Sequence, residues 1–145
     1  MEVKIKKMNE RAHLPTFGTD FSAGADLYCA ENGKLAINGG ETVFLDTGIA
    51  MEIPIGYVGL VFARSGLACK HGLRPANCVG VIDSDYRNSI KVALHNDGEY
   101  PQFVDEGERI AQIIILPYPK IQFTEVEEIS DTTRGLSGFG GTGRF

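Results

Sequence analysis

Two carboxylates stand beside apolar segments, where an acidic side chain can acquire a shifted pKa and act in acid–base chemistry. Asp83 directly follows the apolar run 77–82. Burial there would raise the pKa of its carboxyl group, and a nearby arginine would lower it. A turn rich in Asp and Ser explains Ser84 and Asp85, but it does not explain Asp83, which we expect to be buried at the start of this turn. Asp26 stands at the start of the apolar segment 25–29, where a simple strand-end turn also explains it.

A cation, a hydroxyl group and a glycine adjoin in Arg64-Ser65-Gly66, at the start of the only segment that looks able to form a short helix. Backbone N–H groups at a helix start, together with a serine hydroxyl, form an anion-binding site. An ordinary helix cap at Ser65 is the alternative. Gln112 is a polar side chain within an otherwise apolar run, so it requires a hydrogen-bond partner.

The last fifteen residues combine two arginines, several glycines and two aromatic rings. Arg134 is suited to binding phosphate, and Phe139 is suited to stacking on a base. The segment lacks the Gly-Lys-Ser/Thr ending of a P-loop. Its composition is also that of an ordinary disordered tail.

Composition and charge exclude several classes of protein. The chain has 145 residues, of which 43% are hydrophobic and 23% charged, which is typical of one globular domain. The net charge of −5 argues against a nucleic acid or an anionic membrane as the main partner. No apolar segment follows the charged first residues, so we expect a cytoplasmic protein, or a nuclear one if eukaryotic. Three cysteines without a CxxC spacing predict reduced thiols, and three scattered histidines do not predict a metal site.

Short apolar runs bounded by Gly, Pro, Asn and Asp predict a mostly β structure. The predicted strands are 3–8, 25–29, 34–37, 42–46, 49–53, 57–62, 77–82, 89–95, 108–116 and 121–125, with a short helix at 65–71. No internal repeat or linker divides the chain. The pattern therefore predicts one all-β domain, a barrel or sandwich of the jelly-roll type, over residues 1–130. A flexible, glycine-rich C-terminal segment is predicted over residues 131–145.

Five segments resemble, in order, the five motifs of the trimeric dUTP pyrophosphatase (dUTPase) family. They are Ala-Gly-Ala-Asp-Leu from residue 23, Arg-Ser-Gly-Leu-Ala from 64, Gly-Val-Ile-Asp-Ser-Asp-Tyr-Arg from 80, Gly-Glu-Arg-Ile-Ala-Gln from 107, and Arg-Gly-Leu-Ser-Gly-Phe-Gly-Gly-Thr-Gly from 134. The resemblance extends from about residue 23 to residue 143. It implies a jelly-roll β-barrel and the hydrolysis of dUTP to dUMP and pyrophosphate, which limits uracil in DNA and supplies dUMP for dTMP synthesis.

The resemblance implies three catalytic residues. Asp83 matches the acid that holds and deprotonates the water attacking the α-phosphorus, and Arg64 matches the residue that supports this acid. Asp26 matches the acid that orients, through water, the shell of a Mg²⁺ cofactor held largely by the phosphates. Phosphate-contacting positions are implied for Arg64, Ser65, Gly66, Gln112 and Arg134.

Recognition of the nucleoside is implied for the hairpin 77–82, with Asn77, Gly80, Val81 and Ile82 as its contributing residues. Backbone donors and acceptors there would copy a Watson–Crick partner of uracil. Cytosine would leave buried groups unpaired, at a cost of about 1–3 kcal/mol each. Tyr86 matches the residue whose ring packs on the deoxyribose and leaves no room for a 2′-OH, and Lys91 lies where the family has a side chain near the substrate.

The C-terminal segment is implied to form a lid over the substrate. Arg134 would bind the γ-phosphate and Phe139 would stack on uracil, with Gly138 beside it, so that ordering of the segment expels water. The family's sites are shared among three chains. The implied partners are therefore dUTP and two further copies of the chain in a homotrimer.

Three places depart from the commonest family pattern. Ala63 replaces a frequent proline, and Asn88-Ser89 stands where glycine and an acid are usual. Leu136-Ser137 stands where a small or polar residue and then glycine are usual. No departure removes a chemical group from the mechanism, although Ser137 bears on the kinetics of the lid.

Two other functions compete with this interpretation. A dCTP deaminase of the same wider fold needs an acid that shuttles protons at C4 of the base, whereas the third and fifth segments favour a dUTPase. A dUTP-sensing module that binds a protein partner is a second possibility. The sequence retains all the groups that catalysis needs, which argues against sensing as the only role; they are Asp26, Arg64, Asp83, Tyr86 and Arg134.

Overall fold

The computed structural model describes residues 1–136 and 138, and within that part of the chain twelve strands and one helix are found. The strands are β1 (Lys4–Lys7), β2 (Thr16–Phe17), β3 (Ala25–Tyr28), β4 (Lys34–Ile37), β5 (Thr42–Asp46), β6 (Ile49–Glu52), β7 (Tyr57–Phe62), β8 (Leu73–Pro75), β9 (Gly80–Ile82), β10 (Lys91–Asn96), β11 (Gln102–Asp105) and β12 (Arg109–Pro117). Helix α1 (Ser65–His71) lies between β7 and β8. The prediction of an all-β chain with one short helix is confirmed.

The described strands form four antiparallel sheets. Their strand orders are β1-β6, β5-β10-β8, β11-β4 and β2-β3-β12-β7-β9. Neighbouring strands are mostly distant in sequence, because β12 lies between β3 and β7 and β10 lies between β5 and β8. This exchange of strands among sheets is typical of a jelly-roll fold. Since the sheets keep separate edges, the barrel is open rather than closed.

Alternating burial explains how the strands enclose one core. In β10, Val92, Leu94 and Asn96 are buried, and the residues between them are more exposed, as the two-residue period of a strand requires. The central strand β12 is paired on both sides and is apolar through most of its length. The core contains, among others, Leu27, Ile37, Leu45, Ile49, Ile53, Leu73, Ile90, Val104, Ile110 and Ile113.

Most predicted strands are present, with ends that differ by one or two residues. Three predicted strands match fully: Lys34–Ile37, Thr42–Asp46 and Tyr57–Phe62. Three short strands were not predicted: β2, β8 and β11. Of the predicted strand 77–82 only Gly80–Ile82 is a strand, because residues 76–79 form a turn between β8 and β9.

The predicted strand 121–125 is wrong. Its alternating apolar residues resemble a strand, but Ile121 and Phe123 are 64% and 91% exposed and pair with no other segment in the described chain. Alternation stabilises a strand only when a neighbour accepts its hydrogen bonds and covers one face. Beyond Pro117, the described residues are exposed and belong to neither a helix nor a strand.

The three cysteines are free, which confirms the prediction of reduced thiols. Cys29 is buried, and this burial raises the pKa of its thiol, so the side chain remains protonated at neutral pH. Within the described residues, no helix is long and apolar enough to cross a membrane.

Asn96 is a fully buried polar side chain that joins the end of β4 to the loop that follows β10. Its Nδ2 donates to the carbonyl oxygens of Ile37 at 2.9 Å and Tyr100 at 2.8 Å. Its Oδ1 accepts the backbone N–H of Gly98 at 2.9 Å. A side chain at 0% exposure with all these bonds made satisfies buried backbone groups that water cannot reach.

We therefore predict that Asn96→Leu lowers the free energy of unfolding by about 2–4 kcal/mol, because it leaves buried backbone groups without partners. Chemical denaturation measures this change. Asn32→Leu, at an exposed turn, is the control and should change stability by less than about 0.5 kcal/mol. Equal effects of the two substitutions would contradict the structural role of Asn96.

Candidate functional site

Asp26 lies between two arginines and pairs with both. Arg64 Nε donates to Asp26 Oδ1 at 3.0 Å, and Arg109 Nη1 donates to Asp26 Oδ2 at 3.1 Å. The Asp26 side chain is only 15% exposed, whereas those of Arg64 and Arg109 are 27% and 49% exposed. Two guanidinium groups against one carboxylate leave a net positive charge, which suits an anionic ligand.

The strand register explains why these residues meet. In the five-stranded sheet, Asp26 of β3 lies opposite Gln112 of β12, which in turn lies opposite Phe62 of β7. Arg64 follows Phe62 by two residues, and its backbone is still extended, with φ −84° and ψ 129°. Three strands that are far apart in sequence thus bring their polar residues to one end of the sheet.

Gln112 has the hydrogen-bond partner that the sequence required. Its Nε2 donates to the carbonyl oxygen of Ala63 at 2.8 Å, which fixes the chain just before Arg64. Gly24 packs against the same side chain, since a Cβ atom at Gly24 would lie 2.5 Å from Gln112 Oε1. The first segment and the fourth segment are therefore in direct contact.

The start of helix α1 adjoins this cluster. Arg64 is the N-cap and makes no side-chain cap bond, so the alternative explanation of Ser65 as an ordinary helix cap is wrong. Ser65 is the first helical residue, and both Ser65 and Gly66 are exposed. The Arg64 side chain turns instead to Asp26 and, through Nη1, to the carbonyl oxygen of Arg109 at 3.2 Å.

The segment 77–82 was expected to be a hairpin, but the strands on either side of its turn, β8 and β9, belong to different sheets and do not pair with each other. Its turn is tight: Cys78 has φ 62°, its N–H donates to the Pro75 carbonyl oxygen at 3.0 Å, and the Val79 N–H donates to the Asn77 carbonyl oxygen at 2.7 Å. Val81 is 62% exposed although it lies in a strand, and Gly80 packs on Val61. The segment 77–82 thus presents an exposed turn and apolar surface at the protein exterior.

Asp83 is exposed in the single chain, so the expectation that Asp83 is buried is wrong. It follows β9, and β9 is the edge strand of the five-stranded sheet. An edge strand has a neighbour on one side only, so the residue that leaves it meets solvent.

The structure does not bring Asp83 together with the Asp26 cluster within one chain. Ile82 lies opposite Gly59 of β7, and Gly59 precedes Arg64 by five residues, or about 16 Å of extended chain. The two groups therefore lie towards opposite ends of the same strand. Asp26, Arg64 and Gln112 form one group, and the segment 77–82 with Asp83 forms another.

Tyr86 belongs to the second group. Its hydroxyl donates to the Ser89 carbonyl oxygen at 3.1 Å, and its N–H donates to the Asp83 carbonyl oxygen at 3.1 Å. The ring is 40% exposed. Lys91 is exposed at the start of β10, opposite Asp46 of β5.

The C-terminal site residues lie beyond the last strand. Arg134 and Gly138 are exposed. The Gly135 N–H donates to the Thr132 carbonyl oxygen at 2.9 Å, which forms a turn there. Phe139 lies outside the residues that the structure describes, and so does the departure at Ser137.

Arg109 was missed as a site residue by the sequence reasoning. It stands three residues before Gln112 in the fourth segment, where we assigned the whole run to a core strand. A charged residue at the first position of an apolar strand was the available signal. The register shift between Arg109 and Ala111 allows Arg109 to reach Asp26.

The described residues contain no group of three or more His, Cys, Asp and Glu side chains that could hold a metal ion. Asp26 is the carboxylate of the positive cluster, and each of its oxygens accepts one hydrogen bond from a guanidinium group. A carboxylate has about four lone-pair positions, so Asp26 keeps the capacity to accept a bond from a water of a hydrated cation.

Comparison with known proteins identifies one family. The family model described as dUTPase matches residues 10–143. A deoxyuridine 5′-triphosphate nucleotidohydrolase of Nautilia profundicola is 46% identical over 144 residues, covering 99% of this chain and 100% of that protein. One of Rickettsia akari is 45% identical over 143 residues, covering 98% and 97%.

Solved structures agree with these matches. The dUTPase of Staphylococcus bacteriophage 80alpha with dUPNHPP has a TM-score of 0.90 and 29% identity, and 98% of each chain is covered. A mutant dUTPase from phage phi11 of S. aureus, described as coordinating a structural Mg(II) ion, has a TM-score of 0.80 and 25% identity. That match covers 88% of this chain and 98% of the phage chain.

The contact of Gly24 with Gln112 generates a stability prediction. Gly24→Ala should displace the Gln112 side chain and break its bond to Ala63, lowering the free energy of unfolding by about 1–3 kcal/mol. Gly66→Ala is the matched control, because a Cβ atom there meets nothing within 4 Å and alanine favours a helix. A Gly24→Ala protein as stable as Gly66→Ala would refute this close packing.

Proposed function

This chain belongs to the dUTPase family, and we propose that it hydrolyses dUTP to dUMP and pyrophosphate. The observation that carries the proposal is that one chain presents a net positive cluster, formed by Asp26, Arg64 and Arg109, and, at a separate place, an exposed Asp83 after the segment 77–82. The first suits a triphosphate, and the second suits a base and an attacking water. The product would supply dUMP for dTMP synthesis and limit uracil in DNA.

The triphosphate would bind at the positive cluster. Arg64 is already oriented by Asp26 and by the Arg109 carbonyl oxygen, so little side-chain entropy is lost when phosphate arrives. Phosphate contacts are proposed for Ser65, Gly66, Gln112 and Arg134. Of these, Ser65 and Gly66 are exposed beside the cluster.

A Mg²⁺ cofactor fits this site as an ion that enters with the triphosphate. Asp26 would orient its hydration shell through water, since both carboxylate oxygens already serve arginines and retain lone pairs. When bound, the ion neutralises charge that develops on the phosphate oxygens. The ion would take its other ligands from phosphates and waters, which Mg²⁺ commonly does.

Asp83 would act as the general base. Its exposed carboxylate would hold a water and remove a proton as the water attacks the α-phosphorus, with pyrophosphate as the leaving group. Arg64, which contacts Asp26 within one chain, would support Asp83 only where two chains meet.

The nucleoside would bind along the segment 77–82, through Asn77, Gly80, Val81 and Ile82. The turn at residues 76–79 is exposed, and the remaining backbone groups of this segment are proposed to pair with uracil. The ring of Tyr86 would pack on the deoxyribose and exclude a 2′-OH. Lys91, exposed at the start of β10, is proposed to lie near the substrate.

A homotrimer with shared sites explains the separation along β7. Asp83 and Arg64 lie towards opposite ends of that strand. A complete site would therefore combine the segment 77–83 of one copy with the positive cluster of another. Cyclic assembly repeats this contact until the ring closes. Residues 131–145 are proposed as a lid on the domain of residues 1–130, with Arg134 on the γ-phosphate, Gly138 as a flexible position and Phe139 on uracil. A cytoplasmic location stays a prediction.

Pyrophosphate release from dUTP is the direct test of the proposed function. Release from dUTP, with much slower release from dTTP, dCTP and UTP, is the expected result. Ammonia release from dCTP would instead support the deaminase interpretation. A protein that binds dUTP and releases no pyrophosphate would support the sensing module.

The general base has its own prediction. We expect Asp83→Asn to lower kcat by about 10²–10⁴-fold while dUTP still binds, because the amide cannot accept the proton of the attacking water. Initial rates and equilibrium binding of dUTP measure the two quantities. Asp105→Asn, an exposed acid of β11, is the matched control. A kcat for Asp83→Asn within threefold of the control would show that Asp83 is not the base.

Sharing of the site predicts that two inactive variants rescue each other. Asp83→Asn and Arg134→Ala would be mixed one to one, unfolded and refolded together. If Asp83 and Arg134 reach one site from different chains, random assembly restores about a quarter of all sites. If both must come from one chain, the mixture has no more activity than the sum of its parts. Mass spectrometry of the refolded sample verifies that mixed trimers have formed.

A further inference from the structure

The loop from Asp83 to Ser89 is closed at both ends by Tyr86. At its start, the Tyr86 N–H donates to the Asp83 carbonyl oxygen at 3.1 Å. At its end, the Tyr86 hydroxyl donates to the Ser89 carbonyl oxygen at 3.1 Å. The position of the ring therefore depends on where Ser89 is held.

Ser89 is held by its own side chain. Its hydroxyl donates to Asp46 Oδ1 in a short hydrogen bond, and Ser89 is only 6% exposed. The same Asp46 oxygen accepts the backbone N–H of Gly48 at 2.7 Å. The backbone N–H of Asp46 donates to Glu31 Oε1 at 2.9 Å. Asp46 is thus tied to its own turn and to a second loop before it receives Ser89.

The residue after Ser89 is attached to the same turn by separate bonds. The Thr47 hydroxyl donates to the Ile90 carbonyl oxygen at 2.7 Å, and the Thr47 N–H donates to the same oxygen at 3.0 Å. The Ile90 N–H donates to the Ile49 carbonyl oxygen at 2.9 Å. Because the Ile90 N–H belongs to the same peptide group as the Ser89 carbonyl oxygen, its bond to Ile49 restrains that oxygen from one side, and the Ser89 hydroxyl restrains the residue from the other.

We infer that Ser89 and Asp46 are positioning residues for Tyr86, and that they set the discrimination between deoxyribose and ribose. The inference rests on the proposed function, in which the Tyr86 ring packs on the sugar. The connected chain of contacts runs from the Asp46 carboxylate to the Ser89 hydroxyl and from the Ser89 carbonyl oxygen to the Tyr86 hydroxyl. Neither Ser89 nor Asp46 touches the substrate in this arrangement.

The physical reason lies in the freedom of a half-exposed ring. Tyr86 is 40% exposed, so surrounding side chains restrain it only partly, and its hydroxyl bond supplies a fixed point far from the backbone. A ring held at both its backbone and its hydroxyl keeps one rotamer. Without that point the ring can move by the width of a hydroxyl group. The ring would then yield to a 2′-OH, whereas binding of deoxyribose would change little.

The test compares UTP with dUTP in Ser89→Ala and in Tyr86→Phe. Each variant removes one link, so each should raise the ratio of kcat/KM for UTP to kcat/KM for dUTP by about three- to tenfold. The inhibition constant of UTP against dUTP turnover is a second readout, because it does not require UTP to be hydrolysed. It should fall by a similar factor in both variants, and in Ser89→Ala, which leaves every proposed substrate contact in place, kcat for dUTP should stay within about twofold of the wild type.

Thr47→Val is the matched control. It removes a buried hydroxyl bond in the same turn, so it should lower the melting temperature as Ser89→Ala does without changing the sugar ratio. Asp46→Asn is the conservative variant, because an amide oxygen still accepts a bond from Ser89. It should retain the wild-type ratio, and Asp46→Ala should not.

The double variant Ser89→Ala/Tyr86→Phe decides whether Ser89 acts through the ring. If it does, the double variant has the sugar ratio of either single variant, because the second substitution breaks a link that is already lost. Multiplied effects in the double variant, or a Thr47→Val protein with the same raised ratio, would overturn the inference. So would an unchanged ratio in Tyr86→Phe, even if Ser89→Ala fails to fold. A wild-type protein that does not hydrolyse dUTP would instead refute the proposed function.

Discussion

The two ion pairs of Asp26 are the constraint on which the site depends. The carboxylate is largely covered, and a covered charge is stable only when it is paired. Arg64 and Arg109 provide the pairing from the ends of β7 and β12. Asp26 thereby orients both arginine side chains. The site consequently carries its positive charge before any ligand is present.

The sequence predicted the fold class, the helix and the central strands, because alternating apolar residues state directly which face of a strand is covered. It did not predict β2, β8 and β11, since two- to four-residue strands contain too few positions to show a period. The segment 121–125 was wrong for the opposite reason. Its alternation is clear, but within one chain nothing pairs with it, and pairing depends on a neighbour that a local pattern does not reveal.

The site was predicted in its residue types more fully than in its arrangement. The partner required by Gln112 was found in the Ala63 carbonyl group. The partnership of Arg109 with Asp26 was not predicted, because it joins residues 83 positions apart. The exposure of Asp83 follows from β9 being an edge strand. Strand order is set by the whole set of pairings, so no segment of sequence contains it alone.

Strand β7 carries both halves of the proposed chemistry, and this makes its alignment unforgiving. It pairs with β12 on one side and with β9 on the other. A slip of one residue against either neighbour would turn every side chain to the opposite face. Such a slip would displace both the segment that leads to Arg64 and strand β9, which precedes Asp83. The packing of Val61 and Ile113 in the core is therefore as much a condition for the site as the charged groups are.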